Sequence, residues 1–304
     1  DPAPCALAGI EGEGRLNKLR YQVAAPWLTA RRVINNFKGR PPASAFRILM
    51  LHDIPAVQIM AFERFLEDLK VSRKILSPEE AELLLDGAPP EHPANDWGSL
   101  PVLISFDDGF VSNFGVAAKC LAGHGVKALF FVCPELVDLE GEAQARAIAS
   151  NIFRGNLDWR QISEDRRLMT WSELGELRAM GHTVGAHGMG HQRLSDLTGE
   201  ALAREISGAG ARIEEELKAR VDWYAFAFGN IDSIHGDALA LISNYYKYCR
   251  SGIRGVNSEA TGRYALLADQ IEADLPDTYL DLVLEGGLDG RYRQSAGQLS
   301  RMLE

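Results

Sequence analysis

Residues 101–109 read Pro101-Val-Leu-Ile-Ser-Phe-Asp-Asp-Gly109. The continuous apolar run predicts a short buried strand, and Gly109 lets the chain turn sharply where that strand ends. The strand would deliver Asp107 and Asp108 to its C-terminal end. Two adjacent buried carboxylates repel each other and lose hydration, so a divalent cation would stabilise the pair. A plain surface turn is the alternative, because Asp and Gly both favour turns.

A second group of polar residues follows another predicted strand, His182-Thr-Val-Gly-Ala186. Here His187 and His191 are separated by Gly188 and Gly190, each of which would cost a helix up to about 1 kcal/mol. We therefore expect a loop that can turn both imidazoles toward one point. An isolated histidine pair would be typical of surface or core residues. Two histidines and a carboxylate at two strand ends instead match the three-ligand, open set of a catalytic zinc ion.

The composition excludes some classes of function. The formal net charge of −10 argues against nucleic-acid binding, which requires basic patches. A hydrophobic fraction of 46% is typical of a globular protein, and no apolar run approaches the roughly 18 residues of a membrane span. Strands and helices alternate along the chain, which predicts an α/β fold whose parallel strands feed loops at their C-terminal ends.

The sequence resembles the polysaccharide deacetylase family, also called the NodB-homology domain or carbohydrate esterase family four. The family's first motif, [TS]-F-D-D-G, corresponds to Ser105-Phe-Asp-Asp-Gly109. Its second, H-[ST]-x-x-H, corresponds to His187-Gly-Met-Gly-His191, with Gly188 in place of the hydroxyl residue. A third motif, aromatic-Pro-aromatic-Gly, is recognisable as Phe226-Ala-Phe-Gly229, where Ala227 replaces the proline and an arginine carried by some members is missing.

The resemblance implies a distorted (β/α)7 barrel of parallel strands with a metal site at their C-terminal ends. It implies that Asp108, His187 and His191 bind the metal, and that Asp107 acts as the general base without coordinating it. Zinc is the expected ion from this nitrogen and oxygen set, although Co²⁺, Ni²⁺ or Mn²⁺ would fit the same ligands. In the third motif, the backbone around Phe228 and Gly229 would help to stabilise the oxyanion.

Most family members carry a catalytic histidine near the C-terminus, but His235 is the last histidine of this chain. One branch, which includes bacterial poly-N-acetylglucosamine deacetylases, is circularly permuted and carries that histidine on its first strand. The segment Ile48-Leu-Met-Leu-His-Asp-Ile54 resembles this strand, so His52 is the expected general acid. The alternative is a histidine that caps a buried strand. Asp53 would point to the opposite side and is a weaker candidate.

The function implied by the resemblance is hydrolysis of N-acetyl groups on N-acetylhexosamine units of a bacterial surface polysaccharide or its precursor. Two alternatives stay open. The same site could act on an O-acetyl ester or a non-sugar amide, because the machinery attacks a carbonyl. The departures at Gly188 and Ala227, with the missing arginine, would also suit a carbohydrate-binding relative that has lost turnover.

We expect two regions in the chain: an N-terminal arm over residues 1–45 and the barrel over residues 46–304. The arm is basic and predicted to be helical; it would pack on the barrel or contact lipid or a partner. Its stretch Arg31–Lys38 is typical of a solvated helix face. An insertion near residues 134–168 could line the substrate cleft, with Trp159 as a sugar-stacking platform, or form a solvated helical hairpin.

The four cysteines show no Cys-x-x-Cys spacing, which favours a reducing compartment. The chain begins at Asp1 and shows no recognisable signal peptide, so a cytoplasmic location is expected. A cleaved signal and a periplasmic location are the alternative.

Overall fold

A computed structural model describes residues 20–303, with the exception of residue 92. In this part of the chain eight strands form one sheet in which all pairings between strands are parallel. The strands are β1 Arg47–Leu51, β2 Ile75–Leu76, β3 Val102–Phe106, β4 Leu129–Val132, β5 Thr183–Ala186, β6 Trp223–Ala225, β7 Tyr248–Arg250 and β8 Asp269–Gln270.

Helices alternate with these strands and cover the sheet. Three helical stretches contain a π-helical turn, which lies at Ala117–Leu121, Ile148–Ile152 and Arg204–Gly208, respectively. The helices are α1 Ala24–Phe37, α2 Ile59–Ser72, α3 Pro78–Leu85, α4 111–124, α5 Pro134–Val137, α6 141–152, α7 Trp171–Ala179, α8 199–217, α9 Gly236–Tyr245, α10 Asp277–Leu284 and α11 Arg293–Arg301. Among the described residues, every helix is too short or too polar to cross a bilayer.

The strand order is β7-β6-β5-β4-β3-β1-β8, with β2 pairing on β3. Parallel strands need a crossover to return to the same edge, and the helices between them supply it. The sheet curves into a half-barrel with flanking helices, as expected for a distorted (β/α)7 barrel. The predicted fold class is therefore confirmed.

The strands are buried on both faces, which explains why they read as continuous apolar runs rather than alternating ones. Successive side chains still point to opposite sides. On β1, Ile48 and Met50 join the core that includes Phe131 and Trp223, whereas Leu49 and Leu51 pack under the covering helices.

Local signals act as the sequence indicates at several element ends. Ser77 caps α3 through a capping box: its hydroxyl accepts from the Glu80 N–H, and the Glu80 carboxylate accepts from the Ser77 N–H. The predicted stop of α4 is at Gly125, whose φ of 67° suits glycine. These caps place the following strands, and hence the polar residues at their ends.

Helix α1 is the described part of the N-terminal arm, and it packs against α10. Arg32 forms ion pairs with Asp281 and Glu285, and the Arg31 guanidinium donates to the Glu285 carbonyl. Residues 1–19 lie outside the described part, so the domain boundary at residue 45 stays a prediction.

Candidate metal centre

The carboxyl ends of β3 and β5 lie on either side of β4 and bring the two sequence motifs together. Asp108 follows β3, and the His187–His191 loop follows β5. One potential ligand atom from each of Asp108, His187 and His191 lies within 4.8 Å of the other two. All three side chains are buried, and this is the arrangement that the motifs predicted.

The distances between these atoms suit one small cation. Oδ1 of Asp108 lies 3.6 Å from Nε2 of His187 and 3.2 Å from Nε2 of His191. Two ligands bound tetrahedrally at about 2.0–2.1 Å from one zinc ion are roughly 3.3–3.4 Å apart. Neither carboxylate oxygen of Asp108 accepts a hydrogen bond of normal geometry within the described residues, although the side chain is almost fully buried. A buried, unsatisfied carboxylate facing two imidazoles fits a divalent metal.

Backbone carbonyls orient both imidazoles. Nδ1 of His187 lies 2.8 Å from the carbonyl oxygen of Ala225, and Nδ1 of His191 lies 3.2 Å from that of Asn151. A carbonyl can only accept, so Nδ1 carries the hydrogen in each ring. The neutral rings then turn the lone pair of Nε2 toward Asp108. This is the ring orientation that metal-binding histidines adopt.

Three residues of the site have a left-handed backbone, which side chains other than glycine rarely adopt. The φ angle is 69° at Asp108, 60° at His191 and 65° at Phe228. Each such residue costs of order 1–3 kcal/mol and persists only where the surroundings hold it. The turn after β3 is close-packed as well, since a Cβ on Gly109 would lie 2.9 Å from Cγ1 of Val132.

Glu205, in the π-helical turn of α8, holds the histidine loop from beneath. Its buried carboxylate accepts the N–H of Gly190 at 3.1 Å and that of Gln192 at 2.8 Å. A Cβ on Gly188 would overlap Oε1 of Glu205 and lie 3.2 Å from its Cδ, and φ at Gly188 is 83°. The carboxylate therefore occupies the space that a hydroxyl residue would need at position 188. Glycine at position 188 of the second motif and the buried carboxylate of Glu205 therefore depend on each other.

Asp107 is held by a second buried charge, Arg250 at the end of β7. A guanidinium NH2 group of Arg250 donates to Oδ1 of Asp107, and both side chains are almost fully buried. Oδ2 of Asp107 faces the metal cluster, 3.8 Å from Nε2 of His187. Burial alone would raise the pKa of Asp107, but the Arg250 charge outweighs it and the pKa lies below its usual value. Asp107 is thus a carboxylate with one oxygen anchored and the other facing the cluster.

The protonation of the ligand residues also suits a cation. Burial opposes ionisation of Asp108, but the neighbouring imidazoles, above all that of His191, lower its pKa to about 2. Burial lowers the pKa of His187 to about 4, so the ring is neutral near pH 7. At His191 burial is outweighed by the Asp108 carboxylate, which raises the pKa. The contact between Oδ1 of Asp108 and Nε2 of His191 is therefore stabilised by a proton or by a metal ion between the two atoms.

His52 lies beside Asp107 because β1 and β3 are paired in register. Leu51 is opposite Phe106, and the Asp107 N–H donates to the Leu51 carbonyl at 2.9 Å. The half-buried His52 follows directly, and its charge acts on both Asp107 and Asp108. Asp53 instead forms an ion pair with Arg166 at 2.8 Å, so it contacts the insertion near residues 134–168.

The third motif forms a tight turn over the histidines. The Phe228 ring lies edge-on to His191 with centroids 4.8 Å apart, and the guanidiniums of Arg154 and Arg193 each lie 5.3 Å from its centroid. Gly229 is required here, because a Cβ would lie 2.5 Å from the Gly252 nitrogen. The Gly229 N–H donates to the Phe226 carbonyl. The Phe228 N–H is therefore the candidate donor that this turn retains.

The insertion near residues 134–168 contacts the histidine loop. Its π-helical turn supplies Asn151, whose carbonyl faces His191 and whose side-chain amide donates to the Gly190 carbonyl at 2.8 Å. Trp159 lines a separate surface cavity of about 610 Å³. The guanidiniums of Arg146 and Arg160 lie 4.2 and 4.7 Å from the centroid of its ring, so they compete with any sugar for its faces. The structure does not bring Trp159 to the metal cluster.

The sequence reasoning missed Arg250, Glu205 and Asn151. For Arg250 a signal existed, because the third motif lacks the arginine that some family members carry there. Glu205 and Asn151 give no such signal, since each resembles an ordinary polar helix residue. The Tyr245–Tyr248 stretch begins at the end of α9 and continues into β7.

Comparisons with known proteins agree with this geometry. Residues 96–244 match the family model described as polysaccharide deacetylase, which confirms the predicted family. A comparison with curated protein sequences finds no match.

Solved deacetylase structures share the fold at low sequence identity. The Streptococcus pyogenes deacetylase PplD in complex with acetate is 18% identical, with a TM-score of 0.59, and the alignment covers 79% of this chain and 98% of that one. IcaB from Ammonifex degensii is 18% identical, with a TM-score of 0.57 and coverage of 80% and 97%. A de-N-acetylase from Aggregatibacter actinomycetemcomitans is 14% identical, with a TM-score of 0.57 and coverage of 78% and 98%.

Proposed function

Because residues 96–244 match the family model described as polysaccharide deacetylase, we propose that this protein is a metal-dependent N-deacetylase. Its substrate in this proposal is an N-acetylhexosamine unit of a bacterial surface polysaccharide or of its precursor. One observation carries the proposal: the metal-type cluster of Asp108, His187 and His191 lies beside a second, non-equivalent carboxylate, Asp107. A hydrolase of this kind needs a cation site and a separate base, and the two aspartates differ in their partners as those roles require.

We propose that Asp108, His187 and His191 hold the metal, with zinc as the preferred ion and Co²⁺, Ni²⁺ or Mn²⁺ as substitutes. When bound, such an ion polarises an acetyl carbonyl and lowers the pKa of a water molecule. Every other step falls to the side chains around the cluster.

Asp107 acts as the general base. Arg250 occupies Oδ1, which leaves Oδ2 on the cluster side to take a proton from the attacking water. The low pKa keeps this carboxylate ionised near pH 7, so it is ready to accept that proton.

His52 acts as the general acid. An amide nitrogen is a poor leaving group unless it is protonated, and His52 lies across the strand ends from Asp107, where it can supply the proton. The Phe228 N–H, in the turn that Gly229 permits, donates to the carbonyl oxygen as negative charge develops. The products are acetate and a free amino sugar.

Other residues of this chain compensate for two departures from the family motifs, which argues against an inactive relative. Glu205 fills the space beside Gly188 and supports the loop through backbone N–H groups. Arg250, from β7, supplies a guanidinium to Asp107 in a chain whose third motif lacks one. The bound acetate named for the PplD structure and the de-N-acetylase activity named for the Aggregatibacter protein support the choice of an acetyl group on nitrogen.

The test is acetate release by the purified chain from N-acetylglucosamine oligomers, with the metal content measured in the same preparation. We expect activity to fall after chelation and to return with zinc. Asp108→Asn should lose metal and activity together, because it removes a charged ligand. Release from O-acetylated but not N-acetylated oligomers would favour the esterase alternative. Bound metal with no release from either substrate would refute catalysis.

A further inference from the structure

Helix α1 has an apolar face that the described residues leave uncovered. Val23, Trp27, Ile34 and Phe37 follow one another at spacings of four, seven and three residues, so they form one stripe along the helix. Trp27 is 58% exposed and Phe37 is 87% exposed. A contiguous apolar surface of this kind marks an interaction site, whereas single exposed apolar residues are ordinary.

A different side of α1 packs on the barrel, which leaves most of the stripe exposed. Ala24 and Leu28 are buried, and Asn35 donates to the Glu285 carbonyl at 3.2 Å. Arg32 reaches the Glu285 carboxylate at 2.7 Å. These contacts hold the helix in one rotation about its axis.

Positive charge is concentrated on the same segment. No acidic residue occurs between Glu13 and Asp53, although the whole chain has a formal net charge of −10. The basic residues of the segment up to residue 40 are Arg15, Lys18, Arg20, Arg31, Arg32, Lys38 and Arg40. At Lys38, burial first and then the neighbouring Arg31 and Arg293 guanidiniums lower the pKa, against the opposing charge of Asp289.

The stripe continues into a cavity lined by guanidiniums. Val23 and Trp27 form one wall of this 280 Å³ cavity, and Arg20, Arg254 and Arg291 lie around it together with the acidic Glu272. Gln270, the last residue of β8, also lines it, so this end of α1 lies near the edge of the sheet where the strands end.

We propose that this surface binds peripherally to a bilayer that contains anionic phospholipids. The apolar stripe of α1 lies in the interface, with Trp27 at the headgroup level, and Arg20 and Arg291 contact headgroup phosphates. An interfacial helix of this type combines an apolar face with basic residues at its edges. The concentration of bases in an otherwise acidic chain is the reason to choose an anionic bilayer over an apolar protein partner. The proposal is independent of the deacetylase chemistry.

The experiment is co-sedimentation of the purified full chain with vesicles of phosphatidylcholine alone or with added phosphatidylglycerol. We expect binding to the anionic vesicles only, and weaker binding as salt rises. The Trp27→Ser, Phe37→Ser double variant should lose at least about tenfold in affinity, because both exposed rings would otherwise be buried. Arg40→Glu should lose about fivefold or more, the usual effect of one basic residue near an anionic surface.

Met60→Ser and Lys119→Glu serve as matched controls, since Met60 is 79% exposed on α2 and Lys119 is exposed on α4. Both should bind like the unmodified chain. The proposal is wrong if the chain ignores anionic vesicles, or if the stripe variants bind as well as the controls. A dimer that the double variant dissociates, seen by light scattering, would assign the stripe to a second copy and also overturn it. All variants should keep full activity on soluble oligomers, so failure of membrane binding is distinguishable from failure of the deacetylase proposal.

Discussion

Gly188→Ser restores the hydroxyl residue of the family motif, and we expect it to lower the free energy of unfolding of this protein. The backbone at Gly188 has φ of 83°, which costs a side-chain residue about 1–2 kcal/mol. The new Cβ would also overlap Oε1 of Glu205, so the carboxylate must move away from the Gly190 or Gln192 N–H. A hydrogen bond to a charged group contributes about 1.5–3 kcal/mol. Together these terms predict a loss of roughly 3–5 kcal/mol in the free energy of unfolding.

The assay is urea unfolding of the metal-free chain, together with metal affinity by chelator competition. The metal affinity should fall by about 10–100-fold, as it does when support of a ligand is removed. Gly87→Ser is the matched control, because φ is 84° there and no atom lies within 4 Å of the added Cβ. It should lose only the backbone term, about 1–2 kcal/mol, and keep its metal affinity.

Coupling between the two positions tests the reasoning most directly. Glu205→Ala removes the overlap, so adding Gly188→Ser to it should cost less unfolding free energy than Gly188→Ser costs alone. Contacting residues show coupling of about 0.5–3 kcal/mol. If Gly188→Ser matches Gly87→Ser in stability and binds metal normally, or if the two changes are additive, the role assigned to Glu205 is wrong.

Four further predictions address the site and its surroundings. Asp107→Asn should keep its metal but lose about two to four orders of magnitude in kcat, and full activity would exclude it as the base. Arg250→Met should lower the free energy of unfolding by about 3–5 kcal/mol in urea, because it leaves a buried carboxylate unpaired, and adding Asp107→Asn should recover part of that loss. His52→Ala should impair amide cleavage more than cleavage of an activated ester, and equal losses in kcat/KM would make His52 structural. Burial lowers the pKa of His182 from 6.5 to about 4, so between these pH values the unfolded chain binds a proton that the folded chain does not. The free energy of unfolding should therefore decline as the pH falls from 6.5 to about 4, and less steeply in His182→Asn. Identical slopes for the two proteins in urea unfolding would contradict this.

Much of the fold follows from local patterns in the sequence. The apolar run before Asp107 predicts β3, and the Ser77 cap marks the start of α3. In each case the information lies within a few residues, because hydrogen-bond capping and side-chain periodicity act over one or two turns. The two ligand motifs could be assigned for the same reason, since each directly follows a strand.

The supporting residues could not be assigned in this way. Asp107 and Arg250 are 143 positions apart, and their ion pair exists only because β3 and β7 end at the same edge of the sheet. The carbonyl of Asn151 faces His191 through an irregular helical turn that no periodicity indicates. Trp159 is a further case in which contacts could not be read from the sequence, since its ring packs with Arg146 and Arg160.

The sequence by itself determined which side chains are the candidates for metal binding and catalysis, because ligand type and position after a strand are local properties. Only the tertiary structure decided how they are held: which aspartate oxygen stays available, which ring nitrogen faces the cluster, and why position 188 is glycine. The physical reason is burial. A charge or polar group without water must find its partner wherever the fold brings one within about 3 Å, and sequence distance does not limit that choice.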